Sequence, residues 1–94
     1  MKKEELMGYI TPDTVLSPKA LISDLSVVYD GGIEEWSLAE MKWGSEEVLG
    51  IRWNGSSDSP IGNPQSRGIA TWFILPSALN EAILVKVNEI KESA

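Results

Sequence analysis

The chain is predicted to be an α+β domain: an antiparallel sheet of about four strands in the order β-β-β-loop-β-α, with a C-terminal helix packed on one face. Three observations predict it. Residues 35–43 and 48–53 each alternate with a period of two, on either side of the reversal Gly44-Ser45-Glu46-Glu47. The run Ile69 to Leu75 is almost wholly apolar and stops at Pro76. From Ser77 to about Glu92 the chain contains no Gly or Pro, and Leu79, Ile83, Val87 and Ile90 form a helical stripe. A small curled β-barrel with one helix is the alternative arrangement of the same elements.

Taken in order, residues 1–22 form an irregular N-terminal segment. Pro12 and Pro18 follow the capping residues Thr11 and Ser17, which allows single helical turns and forbids a long helix. Leu25 to Asp30 is a strand with Leu25, Val27 and Tyr29 on one face, and Asp30-Gly31-Gly32 ends it with turn chemistry. In the second strand Ser37, Ala39, Met41 and Trp43 share a face, opposite Trp36, Leu38, Glu40 and Lys42. In the third, Leu49, Ile51 and Trp53 share one. The expected buried side of this hairpin is Ala39, Met41, Trp43, Leu49, Ile51 and Trp53.

Residues 54–68 hold three glycines, two prolines and no periodicity, the mark of a functional loop. The fourth strand, 69–75, is apolar on both faces and reads as a central strand. Ser77 is the expected helix N-cap, although Ile83-Leu84-Val85-Lys86-Val87 is β-branched enough to suit a strand as well.

At 94 residues the chain is expected to be a single domain, 1–94. It has no cysteine, so disulfides, zinc–thiolate sites and thiol nucleophiles are excluded. It has no histidine, which removes the commonest general base and metal ligand. Enzymatic activity is disfavoured on these grounds, and no cofactor or metal is expected. No apolar stretch approaches the roughly 18 residues of a membrane span, and the start Met1-Lys2-Lys3-Glu4-Glu5-Leu6 lacks an apolar signal core. A cytoplasmic protein without membrane contact is expected.

The net charge is −6, and its excess lies in residues 24–47, where seven acids face Lys42 alone. Direct nucleic-acid binding is disfavoured by that sign. Glu34, Glu35, Glu46 and Glu47 lie at turns; as neighbours pointing apart in water they suit solubility or a basic partner surface better than paired acid–base chemistry.

The strongest candidate site is the loop and its arginines. Arg52 and Arg67 bring bidentate donors for phosphate or carboxylate, with Asn54, Asn63, Gln65 and Ser66 beside them, although the glycine interval is not that of a phosphate-binding loop. The simpler role for Arg67 is to pair with Asp58 or Glu40 and pin the loop. Of the four tryptophans, Trp72 belongs in the core, and Trp36, opposite Met41 and Trp43, is the candidate exposed or interface aromatic. Asn54-Gly55-Ser56 fits the glycosylation pattern by chance.

The strings Gly50-Ile51-Arg52-Trp53-Asn54-Gly55, Gly62-Asn63-Pro64-Gln65-Ser66-Arg67-Gly68 and Thr71-Trp72-Phe73-Ile74-Leu75-Pro76 resemble small uncharacterised bacterial proteins of mobile elements and integron gene cassettes. Ser17-Pro18-Lys19 and Val28-Tyr29-Asp30 extend the resemblance over residues 15–80. It implies a bacterial cytoplasmic protein and carries no activity.

The function these features favour is a binding module that recognises a small anionic ligand or a protein through loop 54–68 and the sheet tryptophans. The alternative is a small acidic inhibitor or regulator from a mobile element, held by charge on a basic protein surface. Turnover by Asp58 or Glu40 with Arg67 ranks last. The open sheet edges and the tryptophans predict a homodimer.

Overall fold

The computed structural model describes residues 9–93, so the charged start Met1–Leu6 lies outside the described residues. A 3-10 turn, Pro12–Thr14, precedes six strands: β1 Ile22–Asp30, β2 Trp36–Trp43, β3 Glu46–Trp53, β4 Gln65–Ser66, β5 Ile69–Ala70 and β6 Phe73–Ile74. A second 3-10 turn, Ser77–Leu79, leads into helix α1, Asn80–Ser93. The main sheet is antiparallel and open, in the order β1-β2-β3-β6, while β4 and β5 form a small separate hairpin. The fold is therefore the expected α+β sheet with a C-terminal helix, and not a closed barrel. Among the described residues no helix is long and apolar enough to cross a membrane.

Each face of the sheet carries its own apolar cluster. On one, Ala39 and Met41 meet Val15 of the N-terminal segment, Ala70 and Trp72. On the other, Leu38 and Leu49 meet Val87 of α1, with Ile83 and Leu84 beside them. Val87 is the buried residue of that helix. The side chain of Ser77 does not cap it: Pro76 stands at the start of the 3-10 turn, with no side-chain hydrogen bond.

The hairpin corrects the expected buried face. Trp43 pairs with Glu46 across the two-residue loop Gly44-Ser45, so Ala39 stands opposite Gly50 and Leu38 opposite Ile51. A two-residue loop pairs odd with even positions, and directly opposite residues share a face. Leu49, Ile51 and Trp53 therefore lie with Leu38 and Trp36, and not with Ala39 and Met41. The opposite face gains the space it needs from Gly50, where an added Cβ would stand 2.6 Å from Met41 Cε and 3.1 Å from Trp72 Cβ.

Strand β1 departs from strict alternation for a different reason. Register shifts between Ser23 and Ser26 and between Val27 and Tyr29 each insert a residue, with Asp24 at φ 53° inside the first. Val27 pairs with Ala39 and Tyr29 with Leu38, so Tyr29 crosses to the face opposite Leu25 and Val27.

The apolar run 69–75 is not one central strand. It breaks into β5 and β6 around Thr71 and Trp72, and β6 is the sheet edge, pairing Ile51 with Phe73 and Gly50 with Ile74. Trp72 is in the core as expected.

Candidate functional site: an aromatic groove beside the loop

The long loop is a folded arm. Asn54 N–H donates to Glu35 O (2.8 Å) and Glu34 N–H to Gly55 O (2.7 Å), which joins the loop to the β1–β2 turn. Trp53 and Asn63 exchange backbone bonds of 2.7 and 3.1 Å, folding the arm back against the end of β3. Gly55, at φ 103°, permits this approach: an added Cβ would lie 2.6 Å from Ser59 O and 2.7 Å from Pro60 O.

Asn54 anchors the arm from within. Fully buried, it donates through Nδ2 to Asp30 Oδ1 (3.0 Å) and Gly32 O (2.7 Å) and accepts from Ser37 Oγ (2.6 Å). Tyr9 closes the network with a hydroxyl donated to Asp30 Oδ2 at 3.3 Å. Burial first, and the charge of Asp30 second, hold the Tyr9 hydroxyl above the usual tyrosine range. Asn54 thus serves the frame, every polar atom of its side chain being engaged inside the protein.

Arg52 is a second internal anchor. It is 2% exposed and donates through its two terminal nitrogens to Thr71 O and Ile61 O, tying β3 to the chain before β6 and to the loop. Burial lowers the pKa of its guanidinium, which stays cationic at neutral pH. Its Nε is buried without a partner. A guanidinium committed to two carbonyls cannot also clamp a ligand with Arg67, so the paired-arginine anion site does not form.

Arg67 stands at the exposed tip of the β4–β5 hairpin, φ 54°, followed by Gly68 at φ 78°. Among the described residues it makes no ion pair, with Asp58, Glu40 or any other acid. Two successive positive φ angles are those of a type I′ turn, for which Asn-Gly is the favoured pair. Arg67→Asn is therefore expected to raise stability by about 0.5 kcal/mol in chemical denaturation. A loss of 1 kcal/mol or more would show that the arginine pins the loop after all.

Gln65 and Ser66 are exposed in β4, and Gln65 Nε2 donates to Gly62 O (2.8 Å). Glu34 and Glu35 precede β2, while Glu46 and Glu47 open β3 beyond its far end. Eight residues of strand separate the two pairs, about 25 Å of extended chain, so the four acids do not form one patch.

What the structure does bring together is aromatic. Trp36 pairs with Trp53 and Ile51 with Phe73, placing all four on the helix-bearing face. Helix α1 covers the Leu38 and Leu49 region but leaves this end open. Trp36 is half-covered, its ring 4.7 Å from that of Tyr29. Trp53 and Phe73 are each 58% exposed. With Asn63 and Pro64 forming the loop-side wall, they line a groove of about 460 Å³. Its lining carries no charged side chain other than the internally committed Arg52.

Trp53, not Trp36, is thus the prominent exposed tryptophan, and Phe73 joins it unexpectedly. The signal was available in the two-residue turn, whose parity sends Trp53 to the Trp36 face. Comparison with family models, with curated proteins and with solved structures gives no match for this chain.

Proposed function

We propose that the chain is a binding module whose working surface is the groove of Trp36, Trp53 and Phe73 beside loop 54–68, recognising an apolar, uncharged group on its partner. The observation that carries this reading is the exposure of two large aromatic residues, 58% each, that line one concave site. Such clusters mark interaction surfaces, because each ring left in water forgoes the stabilisation its burial would provide. Tryptophan anchors in pockets dominate many binding interfaces. The small anionic ligand expected from the arginines loses support, because Arg52 is spent on carbonyls.

The test is capture from bacterial lysate by the wild-type chain and by Trp53→Ala, at low and at high salt. A partner held in high salt and released by Trp53→Ala is the expected result. Trp53→Ala should cost no more than about 1 kcal/mol of stability, since the ring is mostly in water and loses mainly its cross-strand pairing with Trp36. Retention indifferent to Trp53 but abolished by salt would assign recognition to the acidic ends of the hairpin instead.

A further inference from the structure

We infer that the occupant of the groove is a proline-rich segment in polyproline II conformation, carrying a basic residue at its flank. This rests on the groove being the working surface. Flat aromatic walls suit proline rings, and polyproline II segments dock into aromatic-lined grooves at low entropic cost, being extended before they bind. Such a segment makes no internal hydrogen bonds, so its carbonyls need donors. Two donors are at hand: Trp36 and Trp53 line the groove and their indole N–H groups have no partner among the described residues, whereas that of Trp72 is bonded to Val15 O at 2.7 Å. Asn63 adds an amide.

Competing occupants fit less well. A saccharide finds one side-chain amide and no free charged group in the lining, few partners to orient its several hydroxyls. A nucleic acid meets a net charge of −6 and no free cation in the lining. A second copy brings the same net charge of −6, which opposes self-association most at low salt. Strand addition finds a β6 edge of two residues with Pro76 just beyond, and on the other edge a β1 broken by two register shifts.

Charge completes the description. Glu34 and Glu35 immediately precede Trp36, at the end of the sheet where Trp53 leaves it, and neither has an ion-pair partner among the described residues. A Lys or Arg next to the prolines meets them there.

The probes are a short acetylated proline-repeat peptide ending in two arginines, a Gly/Ser peptide with the same ending, cellohexaose and oligo-dT, read by tryptophan emission and amide-shift mapping. The proline peptide alone should bind saturably. Its affinity should fall about tenfold or more in Trp53→Ala and in Phe73→Ala, with circular dichroism unchanged. Glu34→Gln with Glu35→Gln should weaken it several-fold at low salt only. Equal binding of the Gly/Ser peptide, or no saturable binding of the proline peptide, overturns the inference. Trp53-dependent binding of cellohexaose or oligo-dT also overturns it, while leaving the groove as the working site. So does Trp53-dependent dimerisation, which would assign the groove to a second copy. Lysate capture decides the groove itself separately.

Discussion

Alanine at Arg52 should destabilise the domain by about 3 kcal/mol, shifting the melting temperature down by on the order of 15 °C. The guanidinium is the one group that ties Thr71 O and Ile61 O to β3, and both carbonyls lose their partner when it goes. Each of these half-buried carbonyls loses a hydrogen bond to a charged donor, about 1–2 kcal/mol apiece, and the missing aliphatic stem removes further packing. Removal of a buried charge works in the other direction and returns part of that loss. Arg52→Lys should recover only a fraction, because one ammonium cannot reproduce a fork that serves two acceptors. The measurement is urea denaturation of both variants beside the wild type. A stable Arg52→Ala protein with weakened binding would mean that the arginine faces a ligand and not the frame.

Trp72→Ala should cost about 4 kcal/mol, a large share of the roughly 5–15 kcal/mol that holds a domain together. Trp72 is 5% exposed, rests on the Gly50 backbone, and donates its indole N–H to Val15 O. It is where the chain after the loop, the sheet and the N-terminal segment meet, so truncation leaves a cavity bordered by all three. Trp72→Phe keeps much of the ring packing but orphans the Val15 carbonyl, and should lose about 2 kcal/mol. Hydrogen exchange should then show earlier opening at Val15 than at β2. A Trp72→Ala protein as stable as the wild type would place the core elsewhere.

The two predictions separate the frame from the working surface. Arg52 and Trp72 hold the loop and the edge strand from behind, whereas Trp53 and Phe73 protrude from the opposite face of the same strands. Losses at the first pair should appear in stability, and losses at the second in binding.

Local pattern was enough for the fold class. Period-two alternation marked β2 and β3, the reach of residues 77–92 without Gly or Pro marked α1, and Asp30-Gly31-Gly32 marked the first reversal. These rest on side-chain spacing and turn chemistry, which act between residues close in the chain. The apolar run 69–75 shows the limit of such reasoning. Its two-sided apolar character suited a buried central strand, yet Phe73 and Ile69 face water more than half exposed. Composition records that a residue is apolar; it does not record whether the face it joins is covered.

What the amino-acid sequence determined by itself was therefore the fold class, the first three strands and the C-terminal helix, the acidic balance and the absence of thiol and imidazole chemistry. Tertiary structure decided which faces meet and which side chains remain free. The parity of the Gly44-Ser45 turn sent Trp53 to the helix-bearing face, and a helix that stops covering the sheet short of that end left it exposed. Carbonyls of Thr71 and Ile61, distant in the chain from Arg52, claimed the arginine that composition alone had offered to an anion. Buried polar groups must find partners, and those partners are chosen by long-range packing that no local pattern encodes.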